Sequence, residues 1–437
     1  MENAKDILDA ACRAWSGWAS VRTRRDKYKR FTYGDQWSYM VSDGDRYMTA
    51  AERAVAHGRR PMTNNMLRRL VKSVIGRYRY RRQDGEQLTG EAARVYAFNN
   101  LDEIDCRSLE EFLISGCTIQ RVIRERRLMG HELWVDMVCP DRFFVNPIRD
   151  PRGWDAELVG MLHDWSLTET VIRLAGDDPG RAAAIRQIYG SMCSNPVLGD
   201  WCAGSDHIDS FLSAPPGRCR VIEVWTLEAV TRRRPRRKTA GAGATACDVS
   251  TMWRCRWLAP DGTVLASHVS RSPDGMHPFK FRFYPMIDGE VHSLVEDVID
   301  QQIYINELIS LIDHVVSCAA KGVLVFPVEE MAPGMTLEKV TEKWSSPDAV
   351  IPIRRGISKP EQITASGGSL AAKELLEIQM QMFEDVSGVT NVLMGRTASG
   401  RIGVEQYESQ VRNALIAIAD ILDTFGNFIA ARNSALV

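Results

Sequence analysis

Residues 293–321 read SLVEDVIDQQIYINELISLIDHVVSCAAK, and this stretch decides what kind of fold the chain adopts. Its apolar residues alternate spacings of four and three, with Gln301 at the one missing place. The seam consists of Leu294, Val298, Ile305, Leu308, Ile312, Val315 and Ala319. The period predicts one helix about 40 Å long. Two interpretations fit it: a core helix of a large domain, or a helix that packs against copies of itself in a ring.

The composition is that of a folded globular protein. The chain has 437 residues, of which 45% are hydrophobic and 25% charged, so several domains with sizeable cores are expected. The formal net charge is −1, which excludes a uniformly basic nucleic-acid binder and leaves only local contacts with DNA. The sequence has neither a secretory signal pattern nor an apolar run of membrane-spanning length, so we expect a soluble cytoplasmic protein.

The ten cysteines are scattered and form no CxxC pair, so reduced thiols are expected. Cys193, Cys202, His207 and Cys219 are the one conceivable zinc set, but their spacing fits no common zinc motif. We therefore expect no metal and no cofactor. Phosphate-binding loops, dinucleotide fingerprints, HExxH and GxSxG motifs are also missing from the sequence, so no enzymatic chemistry is expected.

Periodicity and turn residues predict an α+β chain. A hairpin is expected over 118–126 and 132–138 with its turn at Met129-Gly130, and Ser166 with Glu169 forms a capping-box pattern at the start of a helix. Further helices are predicted at 65–77, 104–115, 369–386 and 404–430, and further strands at 220–230, 251–258, 323–327 and 349–353.

Two basic segments have open interpretations. In residues 77–82, arginines alternate with Tyr78 and Tyr80, which suits either stacking on bases or a surface segment whose tyrosines point inward. Residues 231–246, TRRRPRRKTAGAGATA, cannot build a core and predict an exposed loop.

The order of several short motifs resembles that of portal proteins of tailed bacteriophages, most nearly the portals of short-tailed phages. Residues 33–37 (YGDQW) with 64–65 (NN) are similar to the amino-terminal wing. Segments 220–225, 253–258 and 278–284 resemble the clip and the return to the stem, and Gln301-Gln302 with Asn306 resembles a polar signature of the stem helix. Residues 386–390 (VSGVT), 393–395 (LMG) and 399–400 (SG) are similar to the segment that leads into the crown.

The resemblance implies a portal-like fold with long stem and crown helices and β-rich wing and clip modules, assembled into a ring. The implied segments are a wing at 1–165, a first stem helix and connection at 166–218, a clip at 219–285, a second stem helix at 286–322, a wing return with a channel loop at 323–368, and crown helices at 369–437. Many such portals continue into a carboxy-terminal barrel beyond the point where this sequence stops.

The implied function is a channel at one capsid vertex for genome packaging, DNA retention, tail attachment and genome ejection. The implied partners are further copies of the chain, usually twelve, together with terminase, capsid and scaffolding proteins, tail adaptors and duplex DNA without sequence preference. The protein would be assembled in the host cytoplasm and located in the virion. A non-portal head–tail adaptor or scaffold ring, and a nucleic-acid-processing enzyme with an unrecognised site, are the alternatives.

Three groups of residues are candidates for these roles. The subunit interface is predicted along the seam, at Leu294, Val298, Ile305, Leu308, Ile312 and Val315. The clip, where adaptors would bind, is predicted to present Arg232, Arg233, Arg234, Arg236, Arg237 and Lys238. The loop facing the DNA channel is predicted to contain Arg354, Arg355, Lys359, Gly367 and Gly368.

Overall fold

The computed structural model describes residues 4–83, 90–190, 208–233, 247–270, 272, 275–321, 323–325, 334–344, 361–363, 368–389, 416 and 418–436. These residues form helices and antiparallel strands, so the α+β class is confirmed. The chain divides into two compact units. Unit 1 consists of Met1–Thr32, Arg68–Asp297 and Val389–Val437, and unit 2 of Tyr33–Leu67 and Val298–Gly388.

The described helices are α1 (Ala4–Gly17), α2 (Ala19–Thr32), α3 (Ala50–Ala56), α4 (Met66–Gln83), α5 (Gly90–Phe98), α6 (Leu101–Ser115), α7 (Leu167–Leu174), α8 (Pro179–Tyr189), α9 (Leu294–Lys321), α10 (Leu337–Trp344), α11 (Gly368–Ser387) and α12 (Ala419–Asn433). The prediction of one long helix over residues 293–321 is confirmed by α9. Of the helix predicted at 404–430, the first part lies outside the described residues and the remainder is in α12.

The described strands are β1 (Met40–Asp43), β2 (Arg46–Thr49), β3 (Cys117–Arg127), β4 (Gly130–Met137), β5 (Phe143–Val145), β6 (Leu158–Trp165), β7 (Cys219–Arg233), β8 (Cys247–Leu258), β9 (Val264–Val269), β10 (Phe279–Phe283), β11 (Met286–Ile287), β12 (Glu290–Val291), β13 (Val323–Val325) and β14 (Glu361–Ile363). The predicted hairpin is confirmed by β3 and β4, and the predicted strands at 220–230 and 251–258 by β7 and β8. The strand predicted at 349–353 lies outside the described residues.

Unit 1 is built on two antiparallel sheets, ordered β10-β3-β4 and β5-β6-β7-β8-β9. Side chains alternate between the two faces of a strand, and the five-stranded sheet uses both faces. Val221 and Val145 belong to a core shared with Phe279 and Phe283 of β10, whereas Ile222 and Phe144 pack with α1 on the other face. The five-stranded sheet therefore lies between the β10-β3-β4 sheet on one face and α1 on the other, and both of its faces bury apolar residues.

The segment after Ser166 folds as two short helices, and the sequence GDDPG at 176–180 predicts the break between them. The Ser166 hydroxyl accepts a hydrogen bond from the Glu169 N–H, which confirms the predicted cap at the start of α7. Gly176 has a φ of +58°, and Asp178 caps α8 through the N–H groups of Gly180 and Arg181. A left-handed glycine followed by a new cap stops one helix and starts the next. In its described part, the segment predicted as a first stem helix is therefore α7 and α8.

The predicted boundaries at 165 and 219 fall within a single sheet, because β6 pairs with β7 from Leu158 to Trp165. In the same way, β10 pairs with β3, joining the predicted clip to the predicted wing. The assignment of wing, stem, clip and crown to particular segments remains a prediction.

Unit 2 contains the β1–β2 hairpin, α3, α10, α11, the β13–β14 pair and all of α9 after its first turn. Thr49 and Glu52 form a complete capping box at the start of α3. Helices α9 and α11 stand before and after the β13–β14 pair in the chain. The described part of the chain has no helix that meets the length and apolarity needed to cross a bilayer.

Candidate functional site

Polar side chains in the middle of α9 hydrogen-bond in succession to another segment of the same unit. We call this row of side chains the ladder. Gln302 is fully buried, and its Oε1 accepts hydrogen bonds from the backbone N–H groups of Met66 at 2.8 Å and Leu67 at 3.2 Å. These are the first two residues of α4, whose N–H groups have no partner within that helix. The Gln302 side chain also donates from Nε2 to the Asn64 carbonyl at 2.8 Å. One amide therefore caps a helix and fixes the residues before it.

Asn306 lies one turn later and extends the ladder in two directions. Its Oδ1 accepts from the Asn64 N–H at 2.9 Å and from Gln302 Nε2 at 3.1 Å. Its Nδ2 donates to Gln36 Oε1 at 2.6 Å, and the Gln36 side chain is also buried. Residues from three motifs of the sequence, near positions 36, 64 and 302–306, thus meet in one buried network.

The ladder continues toward the end of α9. Ser310 is buried, and its hydroxyl accepts from the Met62 N–H at 3.1 Å. His314 Nδ1 lies 2.9 Å from the carbonyl of Gly58, whose φ of +69° turns the chain at the end of α3. Gln302, Asn306, Ser310 and His314 follow one another at intervals of four, so they occupy one face of the helix. That face is committed to the chain's own residues 58–67.

The predicted subunit interface along the seam of α9 changes in exposure along the helix. Leu294, Val298, Ile305 and Leu308 are buried within the chain itself. Ile312 and Val315 are half-buried, and the neighbouring Tyr304 and Val316 are 40% and 50% exposed. Only the later part of the seam therefore remains accessible to another molecule.

Helix α11 carries an exposed apolar stripe that the sequence reasoning missed. Leu375, Ile378, Met382 and Val386 are between 37% and 53% exposed. Their spacing of three, four and four places them on one side of the helix. A different side buries Phe383. A search for a second apolar row beside the buried row would have found this stripe.

The basic and channel candidates lie mostly outside the described residues. Arg234, Arg236, Arg237, Lys238, Arg354, Arg355, Lys359 and Gly367 belong to this group, as do Cys193, Cys202 and His207. Arg232 and Arg233 are the last residues of β7, and Gly368 is the first residue of α11. Within the described ranges no three His, Cys, Asp or Glu side chains are grouped as metal ligands.

Of the tyrosines in the basic segment 77–82, one is structural and one is exposed. Tyr78 packs edge-on against Phe425 of α12, with ring centroids 5.4 Å apart. Tyr80 is 62% exposed, and the Arg77 guanidinium lies 5.6 Å from its ring centre. The inward-facing interpretation therefore holds for Tyr78.

Unit 1 contains a buried network of charges that links its two sheets. Arg121 of β3 is 1% exposed and contacts Glu223 of β7 at 2.9 Å and Glu125 at 2.9 Å. Glu223 also accepts from Trp225 Nε1 at 2.8 Å and lies 2.9 Å from His163 Nε2. Desolvation raises the pKa values of both glutamates, but their charged and hydrogen-bonding partners, Arg121 foremost, together outweigh it, so both pKa values are lowered. Burial lowers the pKa of His163 despite this neighbouring carboxylate.

The outer part of this network joins α7 and the β3–β4 hairpin. Arg173 of α7 binds Glu125 at 2.6 Å, and its guanidinium lies 4.4 Å from the Trp165 ring centre. Arg127 binds Glu125 at 2.8 Å and also pairs with Asp136. Every carboxylate here has an arginine partner, which is the condition under which buried charges are tolerated. The geometry is that of a structural brace between elements.

The comparison with protein families gives one match. The family model described as "Phage P22-like portal protein" matches residues 149–432, about two thirds of the chain. The matched region runs from the five-stranded sheet through α9 and α11 to α12. No curated protein matches the sequence.

Proposed function

Because the chain belongs to the family of phage P22-like portal proteins, we propose that twelve copies of it form the ring-shaped channel at one capsid vertex of a short-tailed phage. The family match is the observation that carries this function. A portal serves genome packaging, head–tail connection and genome release. Its role is structural, so we expect no catalytic activity from the chain.

The exposed stripe of α11 supports assembly into a ring. Four aliphatic or thioether side chains in a row are costly to leave in water, since each fully buried one contributes about 1.5–3 kcal/mol. A closed ring needs two different surfaces on each copy, one facing each neighbour. The α11 stripe is one such surface of unit 2, and the accessible side of α9 with Tyr304, Ile312 and Val315 is another. We assign the contact between neighbouring copies to these two surfaces.

The decisive test compares two glutamates placed on the same helix. Ile378 and Gln381 are both exposed in the single chain, so neither substitution disturbs its fold. Ile378→Glu introduces charge into the proposed contact of every copy, where an unpaired buried charge costs several kcal/mol. We expect Ile378→Glu to prevent ring formation and Gln381→Glu to leave it intact, as measured by size-exclusion chromatography with light scattering.

The opposite results would contradict this interface. Normal rings of the Ile378→Glu variant would exclude the α11 stripe from the contact. Leu308→Asp is a weaker test because Leu308 is already buried within the chain, and its loss would damage the fold whether or not a ring forms.

The near-zero net charge of the chain is compatible with a channel through which DNA has to slide. A formal net charge of −1 over 437 residues avoids the tight, salt-dependent binding that a uniformly basic channel would give. We propose that positive charge is concentrated in local positions, among them the segments around Arg234 and Arg354. The further partners are terminase during packaging, capsid and scaffolding proteins at the vertex, and tail adaptors afterwards.

A further inference from the structure

Helix α4 concentrates positive charge in a chain whose net charge is −1. Seven of its 18 residues are arginine or lysine, and none is aspartate or glutamate. Like charges at neighbouring positions of a helix repel one another and destabilise it. A helix that gains stability only from its buried face therefore carries a charge pattern that its own fold does not require.

The two sides of α4 differ sharply in composition. One side packs into the protein through Leu67, Leu70, Val71 and Val74, which are all buried, and through Tyr78 against Phe425. At 3.6 residues per turn, the opposite side consists of Arg69, Lys72, Ser73, Gly76 and Tyr80. We call these five residues the outward face of α4. Lys72 and Gly76 are exposed, Tyr80 is 62% exposed, and Arg69 and Ser73 are half-buried.

The cations at the border of this face already have partners, whereas those on it do not. Arg68 pairs with Glu110, and Arg79 donates from Nε to the Cys106 Sγ at 3.0 Å. Neither Arg69 nor Lys72 has an ion-pair partner among the residues that the structure describes. They lie three positions apart on the same side of the helix. Two neighbouring cations are therefore available to an anionic partner.

Gly76 lies at the centre of the outward face. A glycine inside a helix is less stable than an alanine, so its presence needs a reason. Packing within the chain does not supply one, because a Cβ at Gly76 would meet no atom within 4 Å. The absence of a side chain allows a ligand to approach the helix backbone closely. A bare position between cations therefore points to a large ligand that lies across the helix.

We infer that the outward face of α4 binds the phosphate backbone of duplex DNA. The inference rests on the proposed function, because that function brings duplex DNA to the protein. From Arg69 to Tyr80 the face is about 16 Å long, and a duplex carries one phosphate charge per about 1.7 Å of its axis. Several phosphates are thus within reach of one helix. Contacts of this kind hold DNA without reading its sequence.

The composition of the face favours DNA over an acidic protein. Protein interfaces are depleted in lysine and depend on buried apolar anchors, and the outward face contains no aliphatic residue. Its one aromatic residue, Tyr80, lies 5.6 Å from the Arg77 guanidinium, measured from the ring centre. Tyrosine hydroxyls and arginine side chains both donate hydrogen bonds to phosphate oxygens.

The first test measures how salt affects DNA binding by the full-length protein. The probe is a fluorescein-labelled duplex of mixed sequence, about 20 base pairs long, followed by anisotropy between about 50 and 200 mM salt. Arg69→Gln combined with Lys72→Gln should lower the slope of log K against log salt by about 1.8 and weaken binding on the order of tenfold. Lys5→Gln combined with Arg186→Gln makes the same change of charge at exposed positions of unit 1. This control should keep the slope of the wild type.

The second test uses two glycines with matched surroundings. Gly426 of α12 is also exposed inside a helix, and a Cβ there would also meet no atom within 4 Å. Gly76→Leu and Gly426→Leu should both raise the unfolding temperature, because leucine is the better helix former. Only Gly76→Leu should weaken DNA binding, by about tenfold, since only its side chain would stand between α4 and the phosphates. A merely structural role of Gly76 predicts no such difference.

The outcomes separate this inference from the proposed function. An unchanged salt slope in the Arg69→Gln and Lys72→Gln double variant would overturn the inference. It would also be overturned if this variant kept its DNA affinity but lost binding to purified coat or scaffolding protein, because the face would then belong to a protein contact. Both results would leave the ring standing. Failure of the wild-type chain to form rings would instead overturn the proposed function, whatever the DNA affinity of α4.

Discussion

Two adjacent glutamines of α9 have opposite surroundings. Gln302 makes hydrogen bonds from both ends of its amide, whereas the buried Oε1 of Gln301 has no partner. A buried polar atom stabilises a fold only when it is satisfied, and an unsatisfied one is destabilising. The same side chain therefore stabilises the fold at position 302 and destabilises it at position 301.

Gln302→Leu should destabilise the chain by about 1–3 kcal/mol, because it leaves the Leu67 N–H without its hydrogen-bond acceptor. The Met66 N–H and the Asn64 carbonyl each lose one hydrogen bond and keep the one that joins them at 2.9 Å. Gln301→Leu is the matched control and should be neutral or stabilising. Hydrogen exchange at Met66 and Leu67, together with thermal unfolding, distinguishes the two variants. Equal effects of both substitutions would show that the ladder does not hold residues 58–67.

The buried His163 predicts a pH dependence of stability. Its pKa is lowered in the folded chain by burial, next to Glu223 and with Arg121 and Glu125 close by. A lowered pKa means that the unfolded chain binds the proton more readily, so stability is lost as pH falls below the ordinary histidine value of about 6.5. The carboxylates with lowered pKa values lose their contribution only at more acidic pH. Stability should therefore decline in a first step between about pH 7 and 5.

His163→Gln removes the titrating group while keeping a side chain that donates a hydrogen bond to Glu223. We expect its unfolding temperature to change less between about pH 7 and 5 than that of the wild type. His314 is the control, because its side chain is not buried. His314→Gln should keep the wild-type dependence. An unchanged first step in His163→Gln would assign that step to other groups.

At the scale of elements, the last helix is fastened to unit 1 by a buried ion pair. Arg432 of α12 and Asp105 of α6 are both fully buried and lie 2.9 Å apart. Phe425 adds an aromatic contact with Phe112, at 6.0 Å between ring centroids. Helix α12 is therefore part of the core of unit 1.

Removing one partner of this pair should lower the free energy of unfolding more than removing the charge of both partners. Arg432→Met leaves the Asp105 carboxylate buried without its cation, which costs about 3–5 kcal/mol. Adding Asp105→Asn should restore part of the loss. Limited proteolysis around α12 and thermal unfolding measure both variants. A double variant no more stable than the single one would contradict the ion-pair account.

Local elements were predictable from the sequence, but their partners were not. The apolar period gave α9, and the alternation of strand residues gave the β3–β4 hairpin, because both signals lie within a few neighbouring residues. The pairing of β10 with β3 joins residues far apart in the chain, and no local pattern encodes it. In the same way, the sequence singled out Gln301, Gln302 and Asn306 without showing which of them has partners. The α11 stripe was missed because one apolar row was enough to predict the helix.

At the scale of the whole molecule, a ring multiplies every charge of the single chain. One arginine per subunit becomes twelve in the proposed assembly, which is enough to attract phosphates without a basic composition. Arg354 and Arg355 lie outside the described residues, and their place at the channel is a proposal from the family resemblance. The same holds for the contribution of Arg232, Arg233, Arg234, Arg236, Arg237 and Lys238 to adaptor docking.

Arg354→Glu combined with Arg355→Glu should preserve the ring and reduce packaged or retained DNA, because a negative collar repels the phosphate backbone. The length of packaged DNA in particles that carry the double variant measures this effect. The control is Lys373→Glu combined with Arg46→Glu, which makes the same change of charge at exposed positions elsewhere in unit 2. Full-length genomes at normal yield would remove Arg354 and Arg355 from the channel.

As a member of the portal family, this chain is expected to form a ring around a channel. Electron microscopy of the purified full-length protein in negative stain tests it most directly. We expect class averages of closed rings with a central hole and twelvefold symmetry. Compact particles without a hole, at concentrations where the protein is fully folded, would contradict it.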